Sequence, residues 1–149
     1  MKTNPEANVA FDLEQSIRLD GDSGPYVQYV YARCKSVLDK AEAVIKQEIL
    51  KQVQDDIFKG LNDEELSVLR HLSRYPEVVE SAGKELAPNA ICTYLFELGQ
   101  RYNSFYNKHS ILGAEDEQVK RFRLALTGSV AQVLKNGLGL LGIEVPERM

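Results

Sequence analysis

Seven tyrosines and no tryptophan occur in this chain, and five of the tyrosines fall in two short runs. The first run is Tyr26-Val27-Gln28-Tyr29-Val30-Tyr31-Ala32-Arg33. The second is Arg101-Tyr102-Asn103-Ser104-Phe105-Tyr106-Asn107-Lys108. Both mix aromatic rings with cations and amides. Those groups are the ones that hold single-stranded RNA: unpaired bases stack on rings, base edges bond to amides, and cations hold phosphates. The same side chains also build the core and the wet face of an ordinary helix. At helical spacing Tyr26, Tyr29 and Arg33 lie on one side of a helix. Tyr26, Tyr102 and Phe105 sit on apolar stripes and are expected in the core. Arg101, Asn103, Tyr106 and Lys108 fall off the stripe and face water or a partner.

No catalytic equipment accompanies these rings. No glycine-rich phosphate loop follows a strand, no nucleophile elbow occurs, and no histidine pair stands at helical spacing. Gly21-Asp22-Ser23-Gly24 is too short and too acidic to cradle phosphate and reads as a turn. The two histidines, His71 and His109, have no Cys, Asp or Glu at ligand spacing and are expected to be structural or superficial. Cys34 and Cys92 are far apart and flanked by apolar residues. They are expected as two buried thiols in a reducing compartment, with a lone disulfide as the alternative and no metal site.

The positioning elements must come from one domain. At 149 residues, with 44% apolar and 27% charged side chains, the chain reads as ordinary globular protein able to bury a core without staples. No run of 18 apolar residues exists to span a membrane, and the first residues show no signal peptide. Net charge is −4. Residues 1–69 hold 8 basic and 13 acidic groups, and residues 70–149 hold 10 and 9. The acidic excess therefore lies in the first half. A local basic face can still attract phosphate, because salt confines each charge to about 8–10 Å.

The hydrophobic period is helical throughout. A short helix is expected over Phe11–Leu19. Ser23-Gly24-Pro25 then opens a long one to about Ile49, with its stripe at Tyr26, Val30, Cys34, Val37, Ala41, Ile45 and Ile49. Asn62 or Asp63 caps the next helix, and Glu65 is placed to complete a capping box. Leu66, Leu69 and Leu72 make that helix's apolar face, Tyr75-Pro76 breaks it, and a short helix follows over Glu77–Leu86. Pro88 opens a long helix with stripe Ile91, Leu95, Leu98, Tyr102, Phe105 and His109. Asn107–Gly113 is expected as a loop. The last helix begins near Glu115-Asp116-Glu117, with stripe Val119, Phe122, Leu126, Val130, Val133, Gly137 and Leu140. Gly142 should cap it, and the glycines of Gly137–Gly142 imply close helix packing or early fraying. The expected fold is all-α, an antiparallel bundle of about five helices.

The first run carries a resemblance. Gly21-Asp22-Ser23-Gly24-Pro25-Tyr26-Val27-Gln28-Tyr29-Val30-Tyr31-Ala32-Arg33 resembles the Gly-Pro-Tyr-x-Gln-Tyr-x-x-x-Arg segment of arginyl-tRNA synthetases, preceded by a Phe-Asp like Phe11-Asp12. Tyr94-Leu95-Phe96-Glu97-Leu98 and Phe105-Tyr106 are similar to a later helix of that family. Val133 through Ile143, then Pro146-Glu147-Arg148-Met149, resembles its C-terminus. The resemblance runs from about Phe11 to Met149. It departs at the Asp-Ala-Leu-Arg motif that gives the domain type its name, where Arg121-Phe122-Arg123-Leu124-Ala125-Leu126 stands instead. The His-x-Gly-His and Lys-Met-Ser-Lys-Ser type motifs of the catalytic half have no counterpart here.

The resemblance implies an anticodon-binding helical domain over residues 23–149, joined through residues 1–22 to a catalytic domain. It implies tRNA-Arg and that catalytic domain of the same synthetase as partners, in the cytoplasm, with neither membrane nor DNA involved. The parent would be an ATP-dependent arginine–tRNA ligase serving protein biosynthesis, using ATP and Mg. This domain would need no cofactor and would not adenylate alone. By matched position the resemblance gives Tyr106 and Met149 as anticodon contacts, with Tyr29 and Arg33 beside them. Asn103 joins them as an amide in the second run. Lys120 and Arg123, off the last helix's apolar stripe, are candidates for phosphate contacts. Two other readings remain at this point: a free-standing bundle acting as a protein-interaction scaffold, and the anticodon-binding bundle of another synthetase, such as the glycyl enzyme's β subunit. The Gly-Pro-Tyr-x-Gln-Tyr stretch argues against the latter.

Overall fold

The structure, a computed structural model, describes residues 24–45 and 60–146. The helix expected over Phe11–Leu19, the cap at Ser23, the extension of the first helix to Ile49 and the contact at Met149 lie outside the described residues. Within them the chain forms α1 (Gly24–Ile45), α2 (Asp63–Ser73), α3 (Tyr75–Lys84), α4 (Pro88–Lys108) and α5 (Glu117–Leu140), with no strand among the described residues. Only Arg74 separates α2 from α3, so the described residues form five helices, or four with one broken. No helix among the described residues is long and apolar enough to cross a membrane.

Local chemistry sets the helix ends. Asn62 accepts a hydrogen bond from the Glu65 N–H at 2.8 Å, and the Glu65 carboxylate accepts from the Asn62 N–H at 3.0 Å. That is the reciprocal capping box, and it satisfies two donors that the first turn leaves open. Pro76 and Pro88 lie in the first turns of α3 and α4, where a missing N–H costs nothing. Asp116 caps α5 by accepting from the Gln118 N–H at 2.7 Å. At the far end Gly142 takes φ +71°. The Ile143 N–H then reaches the Leu138 carbonyl at 2.9 Å, and the Gly142 N–H reaches Gly139 at 3.0 Å. This is the paired closure that a left-handed residue permits.

α4 is the central element and touches all four other helices, while α1 lies along α5. The α4 stripe falls as expected from Ile91 through Leu95, Leu98 and Tyr102 to Phe105, all buried, while His109, its expected last member, lies just past the helix end and is only partly covered. Tyr102 and Phe105 are the largest fully buried side chains. On α1, Tyr26, Val30, Cys34, Val37 and Ala41 are buried as expected, together with Val27, Tyr31 and Ala32. Two glycines bring helices close. A Cβ on Gly99 would stand 3.1 Å from a Tyr26 ring carbon, and one on Gly137 would stand 2.5 Å from a Leu95 methyl. Gly137 thus marks close packing rather than fraying.

Five expectations need correction. α2 buries Glu65, Val68 and His71, whereas Leu66, Leu69 and Leu72 are only partly covered. The buried face is rotated because two of its members are polar and find partners inside. α5 buries Leu124, Thr127, Ala131, Leu134 and Leu138 besides Leu126, Val130 and Gly137, while Leu140 is well exposed. Three helices contact α5, so one narrow stripe cannot serve them all. α3 starts at Tyr75 and stops at Lys84, and α4 runs through Lys108 into the stretch expected as loop. Cys34 is fully buried, but Cys92 is only partly so; both are free thiols.

Candidate nucleic-acid interface

Four of the residues singled out from the sequence meet at one place. Tyr29 and Arg33, one turn apart on α1, stand opposite Asn103 and Tyr106, one turn apart on α4. The close approach at Gly99 sets the register that brings the pairs together. The Arg33 guanidinium carbon lies 4.7 Å from the Tyr29 ring centre and 4.8 Å from the Tyr106 ring centre. A cation within about 6 Å of a ring face is attracted by the ring quadrupole, by about 0.5–2 kcal/mol according to exposure. Arg33 therefore lies in contact with both rings.

Hydrogen bonds fix this layer. Arg33 Nη1 donates to Asn103 Oδ1 at 2.8 Å, and Arg33 Nη2 donates to the Tyr29 hydroxyl. Asn103 Nδ2 donates in turn to the Tyr26 hydroxyl at 2.9 Å. The carboxamide of Asn103 is thus bonded at both ends within the bundle, and its place is to hold Arg33 and Tyr26. Burial raises the pKa of the Tyr26 hydroxyl, so it stays protonated. Tyr106 leans on the buried Tyr102, ring centres 6.2 Å apart, while 38% of Tyr106 remains exposed. The result is a rigid inner edge with an accessible aromatic outer surface and a guanidinium that keeps further N–H donors.

The two remaining cations lie elsewhere. Arg123 is not brought to the rings. Its Nε donates to Glu65 Oε1 at 2.7 Å and its Nη1 to the Ser110 carbonyl at 2.7 Å, with side-chain exposures of 14% for Arg123 and 3% for Glu65. Lys120 reaches Glu117 at 3.4 Å along its own helix. Lys108 and Arg101 of the second run also have internal partners. Lys108 and His109 both bond to Glu64, and together they hold that carboxyl down to about 2. Arg101 Nη1 donates to Ser67 Oγ at 2.8 Å. Sequence reasoning missed the Tyr26 hydroxyl as part of the network, and it missed a bond from Gln28 Nε2 to the Glu144 carbonyl at 2.7 Å. Neither partner is close along the chain, so no local pattern announces them.

The Cys34 thiol is pushed up to about 12 by burial, which keeps it from acting as a thiolate. His71 is buried against Tyr94, rings 4.4 Å apart and nearly parallel. Among the described residues no group of three His, Cys, Asp or Glu side chains is arranged to hold a metal ion.

Comparison with known proteins identifies the fold and its family. Residues 27–149 match the family model described as the DALR anticodon binding domain. The arginine–tRNA ligase of Parabacteroides distasonis is 40% identical over 149 residues, a match covering all of this chain and 24% of that protein. That of Thermococcus kodakarensis is 40% identical over 150 residues, covering all of this chain and 23% of the relative. Among solved structures, the Thermus thermophilus arginyl-tRNA synthetase superposes with TM-score 0.84 at 32% identity, covering 99% of this chain and 25% of the other. A putative arginyl-tRNA synthetase from Campylobacter jejuni gives 0.76 at 25% identity, covering 99% and 31%. The chain spans about a quarter of the length of the curated relatives it matches. With its helical fold and these matches in agreement, the chain belongs to the DALR anticodon-binding domain family, in the form carried by arginyl-tRNA synthetases.

Proposed function

We propose that this domain grips the anticodon stem-loop of tRNA-Arg on behalf of an arginine–tRNA ligase in the cytoplasm. The observation that carries the reading is the position of Arg33 against the rings of Tyr29 and Tyr106, at a surface where Tyr106 stays open. Unpaired bases can stack on the outer ring, and the guanidinium can meet a base edge or a phosphate. Asn103 keeps the cation in place and retains a second N–H and a second lone pair for the RNA. Met149 is the further contact that the resemblance supplies. ATP and Mg act in the catalytic half, and this domain binds its RNA without a cofactor.

Titration with an anticodon hairpin of tRNA-Arg tests the reading. Affinity should fall steeply as salt rises, because each phosphate contact releases counterions. A hairpin with a scrambled anticodon loop should bind more weakly at every salt concentration. Equal affinity for the two hairpins removes anticodon recognition, and no binding to either removes the RNA reading altogether.

A further inference from the structure

Arginines gather on the α2 side of α4 as well as on the α1 side. Arg101 of α4 reaches α2, where its Nη1 donates to Ser67 Oγ at 2.8 Å. Arg70 stands one turn beyond Ser67 on α2, and Arg74 one turn further, at the helix end. The three arginines are exposed and Ser67 is partly so. Their nearness is felt in the buried layer beneath. Burial holds the His71 pKa down, and the charges of Arg101 and Arg74 press it the same way, with Glu97 opposing. Lys84, Lys108 and Arg123 are each paired with a carboxylate. Among the described residues no carboxylate lies within ion-pair distance of Arg70, Arg74 or Arg101. A local positive edge therefore stands on a chain whose net charge is −4.

The groups at this edge suit phosphate. Arg101 spends one N–H on Ser67 and keeps others for a ligand, and a guanidinium matches phosphate oxygens with paired bonds. Ser67 Oγ accepts the Arg101 bond and keeps its own hydrogen to donate. The path from here to the ring layer is polar and uncharged. At about 3.6 residues per turn, Gln100, Ser104 and Asn107 run along the outer side of α4, between Asn103 at the α1 edge and Arg101 at the α2 edge. All three are exposed. Only one helix width, about 10–12 Å, separates the arginine edge from Arg33 and Tyr106. An acidic protein could meet the same arginines, but the amide and hydroxyl strip leads from them to rings that suit unpaired bases.

We infer that Ser67, Arg70 and Arg101 form a phosphate-binding edge for RNA, which extends the interface of Tyr29, Arg33 and Tyr106 across α4 onto α2 and holds the hairpin's backbone, not its bases. The inference rests on the RNA-binding reading above. Phosphate contacts of this kind add affinity and salt dependence and carry no sequence preference.

Salt titrations of five forms test this: the original chain, Arg70→Gln, Arg101→Gln, the two combined, and Lys84→Gln. Glutamine keeps the helix preference of arginine and removes its charge, so circular dichroism and melting curves should overlay. The probes are fluorescent anticodon hairpins with the tRNA-Arg loop and with a scrambled loop. Each arginine change should weaken binding roughly 3- to 10-fold at low salt, the scale of one lost contact, and by the same factor for both loops. Each should also lower the slope of log affinity against log salt by about 1, and the combined form by about 2. Lys84→Gln removes an exposed charge from α3 and should change neither affinity nor slope. Unchanged affinity and slope in the combined form, an equal loss in Lys84→Gln, or a loss confined to the tRNA-Arg loop overturns the inference. So does a combined form that loses binding to polyglutamate while keeping the hairpin, which would give the edge to an acidic protein. Failure of the original chain to bind either hairpin is a separate result, seen before any variant is used, and strikes the RNA reading itself.

Discussion

Arg123 on α5 and Glu65 on α2 form a nearly dry ion pair, Nε to Oε1 2.7 Å, and the other oxygen of that carboxylate closes the α2 capping box on Asn62. One carboxylate thereby ties a helix start to a second helix, and the guanidinium adds the Ser110 carbonyl of the α4–α5 connection. Removing one partner leaves the other charged group buried without its counter-ion, which costs about 3–5 kcal/mol. Arg123→Met should therefore destabilise the domain by roughly 3 kcal/mol in urea unfolding. Glu65→Gln in the same chain should recover part of that loss. The hairpin affinity of folded Arg123→Met should match the original, since the residue is away from the ring layer. A large binding loss without a stability loss would return Arg123 to the interface.

Leu86 holds a left-handed backbone, φ 51°, and is 82% exposed. It occupies the position after α3 that glycine usually takes, and the Ala87 N–H closes the turn on the Ala82 carbonyl at 2.9 Å. A side chain there costs about 1–2 kcal/mol and contributes little packing in return. Leu86→Gly should raise stability by about 1 kcal/mol, a melting increase of about 2–4 °C for a chain this size. A lower melting temperature would mean the leucine makes a contact that its exposure conceals.

His71 gives the domain an acid sensitivity. Its Nε2 lies 3.1 Å from the Tyr94 carbonyl, the Tyr94 hydroxyl donates to the His71 carbonyl at 2.9 Å, and burial holds the imidazole's pKa below its ordinary 6.5. Below pH 6.5 the unfolded chain takes up this proton before the folded one does. The contribution is full above 6.5 and is lost as pH falls through the folded value. Melting temperature should drop across that window, and His71→Asn should flatten the drop while lowering stability throughout. An identical pH slope in the variant would assign the effect to other groups.

Much of this fold could be read in advance where burial is one-sided and apolar. The α4 stripe from Ile91 to Phe105 is the clearest case, since one helix face meets the core in an unbroken row. The α2 face was displaced because Glu65 and His71 are polar, and an apolar count passes over them even though each finds an internal partner. The site divides in the same way. Tyr29, Arg33, Asn103 and Tyr106 are recognisable by type and resemblance, yet their meeting depends on how α1 lies against α4. Lys120 and Arg123 stood out only for being off the apolar stripe. Arg123 is spoken for by Glu65, on a helix far along the chain, which no local spacing reveals.

Replacement of Tyr106 tests the central claim most directly. The measurement is the affinity of a tRNA-Arg anticodon hairpin for the original chain, Tyr106→Phe and Tyr106→Ala at one salt concentration. A ring that stacks on a base is worth about 1–3 kcal/mol, so Tyr106→Ala should bind roughly 5- to 150-fold more weakly while Tyr106→Phe stays close to the original. A folded Tyr106→Ala with undiminished affinity would contradict the account.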